Sequence, residues 1–425
     1  MRVLWLSHMV PFPPVGGARQ RSYNLIRGAS RRCDMALAAL AAAGEAGRDA
    51  ELVAAREALE PLLEIVLLHR WTHGHSLAQR IGVVMKSLWS RRSYTELSYW
   101  DKGFGPAVAD LALRIRPDVI HLDTISLLPY LGALEHRPAV VLTHHNVESQ
   151  MLERRACLQS WMIPRWYFGL EARRVKALER RSIEEVDRHI VCSTLDAARL
   201  EDVLGAASID VVPNSVDVSY FTPPKNENPT PNSLVFVGGL SWYPNASAMR
   251  YFFDDVWASL TSQRPDTTIT ICGRSPPDWL RRLAQSDSRI RVMGFVEDMR
   301  PHVWGASAYV CPIFDGGGTK VKMLDALALG SAIVAHPVAC EGIEAKSEEH
   351  LLLASEPQEF VRQILRVFDS PLLRARLGNA ARTLVEEKYA SDAAAQALVK
   401  CYERSLKERT RRGLDIEVAH AGQGA

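Results

Sequence analysis

Short apolar runs of four to seven residues recur along this chain, separated by segments of helical length. The pattern stops once and then starts again, and that restart constrains the fold more than any single motif. Between Val3 and Asn214 the runs are VLWLS (3–7), DMALAAL (34–40), EIVLLH (64–69), DVIHLDT (118–124), AVVLTHH (139–145), RHIVCS (188–193) and IDVVPN (209–214). Helical patterns near 19–30, 49–59, 76–90, 99–115 and 161–186 lie between them. Strands that are apolar throughout and joined by helical crossovers form parallel sheets covered on both faces.

Residues 222–233, TPPKNENPTPNS, hold four prolines and no periodicity, which reads as a linker. The alternation resumes with LVFVGG (234–239), a helix to about 261, TTITICG (267–273), a helix near 277–285 and IRVMGFV (290–296). AYVCPI (308–313), a glycine-headed helix, AIVAH (332–336) and helices near 357–369, 371–388 and 391–411 complete it. The expected class is α/β: two doubly wound Rossmann-like domains facing a cleft, with ligands at the carboxyl ends of the strands. The boundaries are 1–221 for an N-terminal domain, 222–233 for the linker and 234–390 for a C-terminal domain. A helix over 391–411 returns to the N-terminal domain, and 412–425 is read as a disordered tail.

At 425 residues the chain is too long for one core, in keeping with two domains. A net charge of +2 gives no global argument for nucleic acid. Seven scattered cysteines without a C-x-x-C suit reduced thiols in the cytoplasm and give no zinc pattern. The apolar run before His8 is too short for a signal peptide, and no stretch approaches the ~18 apolar residues of a membrane span.

Three constellations carry chemistry. DGGGTK (315–320) places Gly316, Gly317, Gly318 and Thr319 between a strand and a helix, where glycines let an anion approach unpaired N–H groups. Lys320 and Lys322 add charge; a glycine turn that merely packs a helix closely is the bland alternative. Asp325, three residues after Lys322 among apolar neighbours, is either paired or holds a ligand such as a ribose diol. PFPPVGGARQRSYNLI (11–26) opens the first helix, with Gly16 and Gly17 able to approach a phosphate and Arg19 or Arg21 nearby. VVLTHHNVES (140–149) ends a strand with His144 and His145, where this fold exposes residues to ligands. A Walker motif, G-x-G-x-x-G, H-E-x-x-H and D-x-D are all absent, so no metal and no cofactor is implied.

In their order and spacing these pieces resemble the retaining GT-B glycosyltransferases of family four ("group 1"), which use nucleotide sugars. The resemblance runs from the GGA loop (16–18) to about residue 390 through THHN (143–146), VVPNSVD (211–217), LVFVGGL (234–240), ITICG (269–273), VMGFVEDM (292–299) and GGGTKVKMLDALALGSAIVA (316–335). It implies that His145 is the family's cleft histidine and that Asp325 stands for its ribose-binding glutamate. Phe295 and Val296 fall in the segment framing the base. Gly16, Gly17, Gly239, Gly317, Gly318 and Thr319 fall on the diphosphate side. Two departures are visible. Gly317 stands where relatives carry a second glutamate, and Gly239 with Pro244 or Asn245 stands where they carry an arginine and a lysine. Lys320 and Lys322 are the expected replacements for those cations.

The implied activity is transfer of a sugar from a nucleotide diphosphate donor to a carbohydrate or lipid-linked acceptor, with retention, in polysaccharide or glycolipid synthesis. A nucleotide-sugar epimerase of the same fold and a non-catalytic binding protein are the rival readings. Basic and aromatic residues crowd 69–94 and 153–181, which suits peripheral contact with an anionic membrane from the cytoplasmic side. A solvated helix beside an aromatic core patch would use the same residues.

Overall fold

A computed structural model describes residues 1–42, 48–71, 77–205, 207–223 and 228–422. It divides into two compact units, Met1–Pro213 with Ala394–Ala425, and Asn214–Ala393.

In the first unit, β1 (Arg2–Ser7), β2 (Asp34–Ala42), β3 (Ile65–Trp71), β4 (Val119–Leu122), β5 (Ala139–His144), β6 (Arg188–Val191) and β7 (Ile209–Val211) form one sheet in the order β3-β2-β1-β4-β5-β6-β7. All its pairings are parallel. The central strands β1, β4 and β5 are buried along nearly their whole length, which is why their sequences are apolar runs rather than alternating ones. A buried chain of polar contacts fixes them. The His121 ring stacks on Trp5 at 3.7 Å, with Nδ1 2.8 Å from Tyr402 Oη and Nε2 2.9 Å from Thr143 Oγ1.

In the second unit, β8 (Thr230–Val237), β9 (Thr268–Cys272), β10 (Ile290–Gly294), β11 (Ala306–Cys311), β12 (Ile333–Ala335) and β13 (Leu352–Leu353) follow the order β10-β9-β8-β11-β12-β13. Again every pair is parallel. Strand order therefore reverses between β1 and β4 in one unit and between β8 and β11 in the other. At such a reversal the two flanking crossovers run to opposite faces and leave a crevice beyond the strands' carboxyl ends.

Three expectations need correction. The stretch 222–233 is not one connector. Residues 224–227 lie outside the described residues, and Thr230–Ser233 already belong to β8, where the exposed Pro231 sits near the strand's start and forfeits little pairing. Residues 214–221 join the second unit, because Val216 donates its N–H to Tyr389 O at 2.9 Å and the Arg382 guanidinium binds the carbonyls of Val218 and Phe221. The expected tail from 412 continues the last helix, Ser391–Gly422, through residues that mostly favour helix; 423–425 lie outside the described residues. That helix belongs to the first unit, with Ala394, Leu398, Cys401 and Tyr402 in the core beneath β1 and β2.

Candidate functional site

The crevice at β1 and β4 is lined by residues that leave the ends of neighbouring strands. Ser7 ends β1 and His8 follows it; Asp123 follows β4; His144 ends β5 and His145 follows it. Asp123 is 1% exposed. The hydroxyls of Ser7 and Ser22 lie 2.9 and 3.0 Å from its oxygens, the second reaching in from the helix Gly17–Ala29. His145 Nε2 faces Asp123 Oδ1 at 3.3 Å, an ion-pair distance without good hydrogen-bond alignment, and His8 Nδ1 lies 3.9 Å from Oδ2. Burial opposes charge on Asp123, but His145 and the neighbouring imidazoles outweigh it and hold the carboxyl well below the usual range. Burial pushes His8 down to about 4 and His121 to about 3, so both stay neutral around the carboxylate.

Beside this cluster, Glu148 opens the helix Glu148–Cys157 with Oε1 3.5 Å from Thr124 Oγ1. Burial, then the nearby Glu179, pushes its carboxyl up to about 7. Such a group exchanges protons near neutrality. Sequence reasoning found His145 and missed Asp123, His8 and Glu148. The one available signal was a strand, VIHLDT, that ends in an acid just where the fold exposes its carboxyl end.

His144 turns away from the crevice, with Nε2 3.1 Å from His189 Nδ1. The buried Arg21 donates to Val212 O at 2.8 Å and so ties its helix to the sheet rather than offering charge to a ligand. Gly16 and Gly17 are exposed at the first turn of that helix. Gly16 has φ 95°, which only glycine adopts without strain, and its Cα faces open space.

The second crevice gathers most of the remaining candidates. Gly238 and Gly239 follow β8, and the loop 312–320 follows β11. The helix the sequence placed at the glycines begins at Val321, so Lys320 precedes it. Lys320 folds back over its own loop and donates to Gly316 O at 3.0 Å, Gly317 O at 3.3 Å and Gly318 O at 2.9 Å. Those three contacts match the three hydrogens of an ammonium. The lysine therefore organises the loop, whose Gly316 and Gly318 have φ 101° and 67°. Thr319 O accepts from Asn214 Nδ2 at 3.0 Å, while Thr319 Oγ1 is buried without a hydrogen-bond partner.

Lys322 points to the other loop. Its Nζ donates to Asn245 Oδ1, and Asn245 Nδ2 in turn donates to Gly239 O at 2.7 Å. A Cβ on Gly238 would sit 2.5 Å from that Nζ, so only glycine leaves room for the ammonium there. The Phe236 ring lies 5.0 Å from it. Burial pushes the ammonium down to about 8; Cys311 pulls the other way and Lys320 adds to the fall. The ammonium beside the loop after β8 is thus supplied by the helix Val321–Ala328.

Asp325 is 5% exposed, one turn along that helix. Phe295 and Val296 follow β10; Phe295 is half exposed, with the Arg274 guanidinium 4.1 Å from its ring centre, a flat cationic platform suited to a base. Gly273 lets the loop after β8 pass close by, since a Cβ there would lie 1.9 Å from Gly238 O. Among the described residues no group of three or more histidine, cysteine, aspartate or glutamate side chains could hold a metal ion.

Comparison with known proteins bears on the family and the fold. The chain matches the model "Glycosyltransferase Family 4" over residues 15–220 and "Glycosyl transferases group 1" over 231–370. Sucrose-phosphate synthase from Thermosynechococcus elongatus superposes with a TM-score of 0.68 at 15% identity, over 95% of this chain and 99% of that one. Anabaena HepE, solved with UDP, gives 0.65 at 16% identity, over 95% and 100%. A variant of S. aureus TarM, solved with fondaparinux, α-GlcNAc-glycerol and UDP, gives 0.64 at 9%, over 94% and 99%. An uncharacterised 44.6 kDa protein in the cps region of Klebsiella pneumoniae is 21% identical over 166 residues, 37% of this chain and 43% of that relative, less than half its length.

Proposed function

Because the chain is a glycosyltransferase of the GT-B type, we propose that it moves a sugar from a nucleoside diphosphate donor to a carbohydrate or lipid-linked acceptor, retaining the anomeric configuration. The observation that carries this is the Lys322 ammonium, held over Gly238 and Gly239 beside the glycine loop at the strand reversal. A cation and backbone N–H groups fixed there before the reaction would stabilise the charge that builds on a departing diphosphate. Lys320 shapes the loop, Thr319 Oγ1 supplies an uncommitted hydroxyl, Asp325 takes the ribose, and the Phe295 platform takes the base.

The first unit would serve the acceptor. His145, oriented by the Asp123 carboxylate, would contact the transferred sugar, and Glu148 would handle an acceptor proton. HepE was solved with UDP and with UDP-glucose, which makes a uridine donor the first to try. The chemistry assigns no step to a metal. All seven cysteines are free and six are buried, in keeping with a cytoplasmic enzyme of polysaccharide or glycolipid synthesis.

The test is thermal denaturation with UDP, GDP and ADP, followed by donor turnover. A ligand at 100 times its Kd stabilises by about 2.7 kcal/mol. No shift with any diphosphate would sink the proposal. A shift without transfer or hydrolysis would favour a binding protein, a reading that Gly317 in place of a second acid supports. An inverted product anomer by NMR would overturn retention alone.

A further inference from the structure

Two segments of the first unit present large apolar side chains outward. On the helix Leu77–Trp89, Ile81, Met85 and Trp89 recur every four residues, and they are 54%, 48% and 87% exposed. They form one outer stripe, while Val83 and Ser87 face inward and are buried. At the start of the helix Met162–Glu185, Trp161, Met162 and Ile163 are 80%, 86% and 80% exposed, and Trp166 continues the face one turn on. The two segments are joined side by side. Ser87 Oγ lies 3.0 Å from Tyr167 Oη, and the Arg174 guanidinium donates to Ser87 O at 2.7 Å and Ser90 O at 2.8 Å. The tryptophans at 161 and 166 therefore belong to no core; only Tyr167 and Phe168 behind them are partly covered.

Within the two segments themselves the charge has one sign. Residues 78–95 hold Arg80, Lys86, Arg91 and Arg92 and no acid. Residues 154–170 hold Arg154, Arg155 and Arg165 and again no acid. Trp89, Trp161, Met162 and Ile163 are each 80% or more exposed, so they project into solvent rather than lie in the flat, packed patch of a protein interface. Protruding indoles ringed by cations suit the boundary between headgroups and acyl chains, where aromatic rings insert and basic groups meet anionic lipid. Among the described residues no helix is long and apolar enough to cross a membrane, so the contact is peripheral.

We propose that the first unit docks on an anionic bilayer through the stripe Ile81–Met85–Trp89 and the turn Trp161–Ile163. This goes beyond the donor chemistry and does not depend on it. The experiment is co-sedimentation of the full chain with phosphatidylcholine vesicles, with and without phosphatidylglycerol, at low and high salt. The expected result is binding to anionic vesicles, weakened by salt, with a blue shift of tryptophan emission. The triple variant Trp89→Ser, Trp161→Ser, Ile163→Ser should lose at least about tenfold in partitioning and the blue shift with it. The triple variant Lys86→Ser, Arg91→Ser, Arg165→Ser should lose about fivefold per cation and most of the salt dependence. All six positions are exposed, so both variants should keep the wild-type melting temperature and diphosphate response. Equal binding to both vesicles, binding to neither, or a lipid-free dimer abolished by the same substitutions would overturn the proposal while leaving the donor site untouched.

Discussion

Lys322 gives the sharpest test of the site, because burial weakens its hold on a proton in the empty protein and a bound anion would strengthen it. Its folded value, about 8, lies below the ordinary 10.5. Below pH 8 both folded and unfolded chains carry the charge, and the folded one bears the whole penalty. Between pH 8 and 10.5 the unfolded chain still holds a proton that the native state has released, so stability rises with pH across that window. Above it the contribution is constant. The span corresponds to at most about 3 kcal/mol. Lys322→Met keeps the apolar stem over Phe236 and removes the charge. Urea unfolding from pH 7 to 11 on both proteins cancels the other groups that titrate there. The wild-type-minus-variant stability should climb by up to about 3 kcal/mol between pH 8 and 10.5. UDP binding near pH 8.5 should take up a fraction of a proton in the wild type and none in the variant, read by calorimetry in buffers of different ionisation enthalpy. A flat difference curve, or wild-type diphosphate affinity in the variant, would refute the assignment of Lys322 as the diphosphate cation.

Lys320→Met should act differently. Three loop carbonyls lose their donors, so stability should fall by about 2–3 kcal/mol by denaturant titration. Asp325→Ala should weaken UDP binding by about 1.5–3 kcal/mol in calorimetry; unchanged affinity with a less stable fold would mark it as a structural acid. For Asp123 the folded carboxyl lies below its ordinary value, so its stabilisation is present above the usual carboxylate range and is lost as pH falls through and below it. Asp123→Asn should therefore flatten the acid limb of the stability profile measured from neutrality to pH ~3 and slow transfer, since His145 loses the charge that orients it.

The strands were legible because burial on both faces leaves an unbroken apolar run, and β1, β2 and β5 fall on the runs the sequence shows. The helix Glu148–Cys157 was not, since ESQMLERRAC has too few apolar residues to show a period; its place is set by packing against Met162–Glu185. The helical pattern over 99–115 begins only at Phe104, because Asp101 Oδ1 accepts the N–H groups of Gly103 and Phe104 and starts the helix there. In the site, spacing picked out the two lysines but not their different directions. Lys320 Nζ returns to carbonyls two to four residues behind it, and Lys322 Nζ goes to Asn245, 77 positions away. Asp123 carried no motif, because its partners come from three other elements, the ends of β1 and β5 and the helix Gly17–Ala29.

The last helix carries a consequence for how the molecule is made. Tyr402 and Cys401 complete the core under β1, and Tyr402 Oη closes the chain of contacts through His121 to Trp5. The unit translated first is therefore finished last. On the ribosome Asn214–Ala393 can emerge and fold as a whole while the earlier unit still lacks one wall of its interior. A fragment ending at Pro213 would leave Leu398, Cys401 and Tyr402 unreplaced, so no single cut separates the two units without stripping the first of its last helix. Chains released early by a nonsense codon near 390 would carry a folded second unit on an open first one, a form that chaperones and proteases would meet as half native.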